Sequence, residues 1–183
     1  MDLGRLAALA AELRRCDWWA DARQLGRSVR TSAERTDDLL VIGTPDDEPW
    51  HLVAHLADGA RLNPGTRPAP TLVRWRVPAH APAHLSVGVD RLADVRRSTL
   101  LVVAPASAPA GLLQGVSDAR RRGATILTLG GDDGAYGAAD LADLAHEAVL
   151  LPSSDTVQLD LAGHVVGAAA ATDPVLPRQW RRG

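Results

Sequence analysis

The sequence contains no lysine: every one of its 20 basic residues is arginine. That excludes Schiff-base catalysis, a lysine-anchored pyridoxal cofactor and a Walker-type phosphate loop, each of which needs the amine. There is one cysteine, Cys16. An internal disulfide framework and a zinc module built on several thiolates are therefore excluded, and Cys16 reads as a small buried hydrophobe. An excess of one charge is missing too. The 20 arginines face 22 acids over 183 residues, a net charge of -2, so no strong field recruits nucleic acid. No run of about 18 apolar residues is present to span a bilayer. Asp2, Arg5 and Glu12 interrupt the first residues, so the basic-then-apolar layout of a signal peptide is absent. The expectation is a cytoplasmic protein with neither membrane nor nucleic acid among its partners. Phenylalanine is missing as well; with the wealth of Ala and Arg this fits genomic base bias, and we attach no function to it.

What is present is an ordinary globular composition, 46% apolar and 23% charged, at a length that builds one sizeable core. Leu3, Leu6, Ala10 and Leu13 recur at helical spacing, and Trp18, Ala22, Leu25 and Val29 mark a second helix over 17–34. The period then changes. Asp38 to Gly43 is a short, β-rich apolar run, read as a buried parallel strand. Thr44 to Pro49 reads as a helix start, with three acids at the positive end of the dipole, and the helix continues to about Leu62. Thr71 to Val77 alternates like a half-exposed strand, and Val89 to Arg97 reads as a short helix. Thr99–Ala104, a helix over 109–122 stopped by Gly123, and Ala124–Leu129 form a β-α-β unit, hence parallel strands with a right-handed crossover. A helix over 138–145, a strand over 147–151 and a last helix from Asp155 to before Pro174 complete the pattern. The fold class expected is α/β, a three-layer α/β/α sandwich on a parallel, flavodoxin-like sheet with two leading helices. The expected domains are 1–36 for the leading helices as a dimer contact, 37–173 for the α/β domain and 174–183 for a tail.

Three stretches, in this order and spacing, resemble the sugar isomerase (SIS) family, and most of all its single-domain phosphoheptose isomerases. Leu100 to Leu113 with Ser117 to Leu129 resembles that family's strand, phosphate turn, helix and next strand. His51-Leu-Val-Ala-His55 resembles its His-x-x-x-Glu helix, and Leu151 to Thr156 the stretch leading into its final helix. The resemblance implies a phosphosugar site with Gly43, Thr44, Ser107, Asp155 and Thr156 as ligand-binding residues. It also implies His51, His55 and Asp155 as catalytic residues in an active enzyme, and His51, His55 and Asp160 as candidate zinc ligands.

The residues argue against the usual phosphate grip. Such a grip uses unpaired N–H groups and hydroxyls at a helix start. The matching turn, Ala104 to Pro109, has two prolines without N–H groups and one hydroxyl, Ser107. The loop after the first strand places Asp46, Asp47 and Glu48 beside it, either capping the helix or filling an anion pocket with a carboxylate. His51 and His55 share one helix face, but Asp160 and Ala168 fall where the family's final helix supplies an amide and an imidazole. Gln158 and His164, six residues apart, are expected on different faces. No tight metal and no cofactor are therefore expected, with zinc the alternative. Asp155 reads as a helix cap or as a residue at the cleft mouth, and His80 and His84 as solvated loop residues.

Besides a purely structural dimer with no small-molecule ligand, two function classes stay open. One is a degenerate sugar-phosphate-type binding module, a homodimer or tetramer that holds a small sugar-derived ligand or acts as an interaction protein. The other is an active sugar-phosphate isomerase with His51 or His55 as acid/base and Asp155 orienting the substrate.

Overall fold

The computed structural model describes residues 11–36, 38–62, 69–82, 85–105, 107–131, 136–153 and 155–171, with the backbone alone at 136–139. The expected first helix, apart from its last residues, and the 174–183 tail lie outside them, as does His84.

The elements in chain order are α1 (Trp18–Ala33), β1 (Leu39–Ile42), α2 (Trp50–Leu62), β2 (Pro70–Val73), a 3-10 helix (Val89–Asp94), β3 (Thr99–Ala104), α3 (Ala110–Arg121), β4 (Thr125–Gly131), α4 (Tyr136–Leu144), β5 (Glu147–Leu151) and α5 (Thr156–Ala171). The five strands form one sheet in the order β2-β1-β3-β4-β5, and every pair is parallel. A parallel strand is covered on both faces, so it reads as a continuous apolar run. β3, Thr-Leu-Leu-Val-Val-Ala, is buried at every position.

The alternating side chains of the strands divide the core in two. Leu39, Val41, Leu101, Val103, Leu127 and Leu129 face a layer made by α1, α2 and α5. Leu40, Ile42, Leu100, Val102 and Ile126 face the other layer, with Leu92 and Val95 from the 3-10 segment, Leu112 and Val116 of α3, and Leu141 of α4. The three-layer α/β/α architecture is thus present. Cys16 and Trp19 pack against the first cluster, and Trp18 is buried within it.

In its layer α5 is wedged between α1 and α2, so it buries most of its surface and is built from Gly, Ala and Val. The fit depends on small residues. A Cβ on Gly26 of α1 would lie 2.4 Å from the Val166 carbonyl oxygen, and one on Gly167 would lie 3.0 Å from the His55 Cβ of α2. These glycines let the helices approach closely enough to bring α2 side chains onto α5.

Two elements differ from the sequence pattern. β2 ends at Val73 rather than Val77, because its neighbour β1 ends at Ile42, the residue paired with Val73. Beyond that point Arg74 makes only an isolated bridge to Gly88, and the Trp75 indole N–H turns to donate to the Gly43 carbonyl at 2.9 Å. The 89–97 segment is a 3-10 helix ending at Asp94, with Arg97 at φ 51. The stop at Gly123, φ 91, is as the sequence indicates.

Candidate functional site

In this strand order the chain leaves β1 toward β2 and returns to β3 on β1's other side. The loops after β1 and β3 therefore part, and a crevice opens beyond the carboxyl ends of these strands. A cavity of about 610 Å3 lies there, lined by Thr44, Pro45, Asp46, Asp47, Pro105, Ser107, Pro109 and Thr156. Beside it, between α2 and α5, is a second cavity of about 240 Å3. Its lining includes Asp47, Trp50, His51, His55, Asp160 and His164, over a floor of Val103, Leu129 and Leu159.

The loop after β1 is folded onto itself. The Thr44 N–H donates to the Asp47 carbonyl at 3.0 Å and the Asp47 N–H returns to the Thr44 carbonyl at 3.3 Å. Gly43 is required here, since a Cβ would lie 2.0 Å from the Asp47 carbonyl oxygen. Two N–H groups of this loop, those of Thr44 and Asp47, are thus satisfied internally. Among the acids, Glu48 does not cap α2. Its carboxylate accepts from Arg74 Nε at 3.1 Å, with both side chains about 15% exposed, and the Arg74 guanidinium lies 4.7 Å from the centre of the Trp50 ring. Asp47 lines both cavities. Its carboxyl is pushed above the ordinary carboxylate value, chiefly because burial penalises the charge and further because Asp160 faces it.

Successive turns of α2 carry His51 and His55, and successive turns of α5 carry Asp160 and His164. His51 Nδ1 is 3.9 Å from Asp160 Oδ2, both well exposed. The rings of His55 and His164 meet edge to face with centroids 4.3 Å apart. His164 is held below the ordinary imidazole value, first by burial and then by the charges of His55 and His51, against the opposing pull of Asp160.

His164 is the residue the sequence reading set aside. Its spacing from Gln158 does place the two apart, and the Gln158 Oε1 is buried without a hydrogen bond. Its four-residue spacing from Asp160 was the usable signal. The structure brings His51, His55, Asp160 and His164 to one cleft. It places Thr44, Ser107 and Thr156 on the neighbouring cavity and Gly43 beneath it. Asp155 is a cap: its Oδ1 accepts from the Val157 N–H at 3.0 Å, and its own N–H is held by the Ser153 hydroxyl. Ser107 is exposed in its turn, and His80 is exposed in its loop. Arg120 donates to the Asp143 carbonyl near the end of α4 at 2.9 Å.

A structural zinc wants four converging ligands. Among the described residues no three His, Cys, Asp or Glu side chains converge to hold an ion. Two of the four groups in the cleft present a ring edge to a ring face instead of converging lone pairs. The donor set as arranged does not fit a metal.

No family model matches the sequence, and no curated protein matches it. Solved structures do. A phosphoheptose isomerase from Francisella tularensis superposes with a TM-score of 0.55 at 14% identity, over 93% of this chain and 96% of its own. The sugar isomerase domain of an RpiR transcription factor from Sphaerobacter thermophilus matches with a TM-score of 0.53 at 16% identity, over 81% of this chain and 77% of its own. This chain has the sugar isomerase fold. A phosphosugar isomerase from Silicibacter pomeroyi shares it with a TM-score of 0.53 at 17% identity, over 86% of this chain. The chain spans about half of that protein, 46% of its length. In this chain the loop after β1 bonds to itself at the edge of the crevice above β1 and β3, and the His-lined cleft lies beside that crevice. No helix among the described residues is long and apolar enough to cross a membrane.

Proposed function

We propose that the protein is a binding module of the sugar isomerase fold that holds a small carbohydrate-derived ligand without the usual phosphate grip. It works as a homodimer in a ligand-binding or interaction role, in the cytoplasm and without a resident metal. The observation that carries this reading is the internal bond from the Thr44 N–H to the Asp47 carbonyl. Together with Pro105 and Pro109 around Ser107, it leaves few free donors for a dianion. The neighbouring cleft of about 240 Å3 remains open and polar.

The test is a thermal-shift screen against sugar phosphates, unphosphorylated sugars, nucleotide sugars and divalent metals. A ligand present at 100 times its Kd stabilises by about 2.7 kcal/mol, well within view of such a screen. Unphosphorylated sugars are expected to raise the melting temperature, and sugar phosphates to bind no tighter than millimolar. A micromolar phosphosugar complex would overturn the reading. The self-association is checked separately, by sedimentation at micromolar concentration, where a stable monomer would remove it.

A second reading is favoured by the contact between His55 and His164 at 4.3 Å. Imidazoles beside a bound sugar can move protons between adjacent carbons, so a sugar-phosphate isomerase is the alternative. Its test is aldose–ketose interconversion in deuterated water, with His51→Ala and His55→Ala as controls. Solvent deuterium incorporation that both variants abolish would establish it.

A further inference from the structure

We propose that the cleft between α2 and α5 takes an amine-bearing polyol, an amino sugar in its ammonium form, in preference to any phosphate ester. This names the ligand class of the site above and rests on the binding-module reading.

The argument is one of donors and acceptors. The cavity of about 240 Å3 is large enough for part of a pyranose and has an apolar floor of Val103, Leu129 and Leu159. Its polar wall is rich in acceptors. The carboxylates of Asp47 and Asp160 only accept when ionised, and a neutral imidazole offers one accepting nitrogen. Three imidazoles line the wall, and the charges of His51 and His55 both oppose protonation of His164. No arginine lines the cavity among the described residues. The guanidinium of Arg74 lies just outside, engaged with Glu48 and the Trp50 ring. A phosphate dianion is an acceptor and an anion, so it would meet acceptors and like charge. An ammonium brings three donors and a positive charge, and sugar hydroxyls bring more donors.

The charge arrangement points the same way. Asp47 and Asp160 both line the cleft, and the charge of Asp160 disfavours ionisation of Asp47. A cation between them removes that repulsion and gains attraction to both. Trp50, 40% exposed on the cleft wall, supplies an apolar ring against which the C–H face of a sugar can lie.

The test is calorimetric titration at pH 7 with glucosamine, N-acetylglucosamine, glucose and glucose 6-phosphate. Glucosamine and N-acetylglucosamine share a ring and differ in charge. Glucosamine is expected to bind about tenfold more tightly than either neutral sugar, equivalent to about 1.4 kcal/mol, with glucose 6-phosphate the weakest. Asp47→Asn and Asp160→Asn should each bring the ratio of glucosamine to glucose affinity to within about threefold, roughly half that energy. Circular dichroism checks that both variants fold, and the exposed Asp160 serves if the Asp47 variant does not. Equal affinity for the three unphosphorylated sugars, or a preference that survives both substitutions, overturns the amine inference and leaves the sugar-binding reading standing. Tightest binding by glucose 6-phosphate, or no binding of any of the four at millimolar concentration, overturns both.

Discussion

The carbonyl oxygen of Asp47 stands 2.0 Å from the point where a Cβ on Gly43 would lie. The loop after β1 therefore reaches back over its own first residue, and one backbone contact fixes both the closed N–H groups and the aspartate that borders two cavities.

That contact predicts the cost of Gly43→Ala. The obstacle is backbone, which cannot rotate aside, so the loop must shift, at about 1–3 kcal/mol of stability. Gly111→Ala is the control. It lies in the exposed first turn of α3, and nothing comes within 4 Å of its Cβ, so it should stabilise by about 0.5–1 kcal/mol. Urea denaturation of both variants checks the sign of each change.

The Glu48–Arg74 pair should matter more than an ordinary surface pair. Both side chains are about 15% exposed and Arg74 also covers Trp50. Glu48→Gln is expected to cost about 1–3 kcal/mol, between the values for exposed and buried pairs. A double-mutant cycle with Arg74→Met should return most of that as coupling energy. Coupling near zero would make the pair incidental.

Stability should carry a mark of His164 in its pH dependence. Its folded value lies below the reference 6.5. Below that reference the unfolded chain takes up the proton more readily. Stability therefore falls as pH drops through 6.5 and levels off below the folded value. His164→Gln should flatten that stretch of the profile. Asp47, raised above 3.8, acts in the opposite direction at lower pH: protonation favours the fold as pH falls through its raised value. Chemical denaturation across this range, with NMR titration of the imidazole signals, reads both.

Protein purified without a histidine tag is expected to carry far less than one zinc per chain. Exposed imidazoles without converging partners bind a metal ion weakly. Stoichiometric zinc that disappears in both His51→Ala and His55→Ala would refute this.

Legibility in the sequence followed from how local each signal is. The unit from Thr99 to Gly131 could be read closely because Pro109, Gly123 and two apolar runs mark its boundaries in the chain itself. β2 was overextended because its length is set by a neighbour. Alternation from Leu72 onward satisfies the strand period, yet β1 offers no partner beyond Ile42. The same distinction holds at the site. The pair His51 and His55 is visible as a spacing on one helix. The contact of His55 with His164 depends on Gly167 admitting α2 to α5, a property of the packed pair of helices. Asp155 fitted two roles in the sequence, a helix cap and a residue at the cleft mouth, and the Val157 N–H on its carboxylate shows that it caps α5.

The uniform direction of the five strands gives the sheet two unlike ends. Both cavities open beyond the carboxyl ends. At the opposite end lie the Arg91–Asp38 pair, Ser98 and the turn at Gly123, where a side chain would meet open space. A cysteine introduced beside that turn would carry a fluorophore, or tether the protein to a sensor surface, while the cleft faces the bulk solution. Surface-based measurements of ligand binding could then be made without the attachment chemistry touching the site.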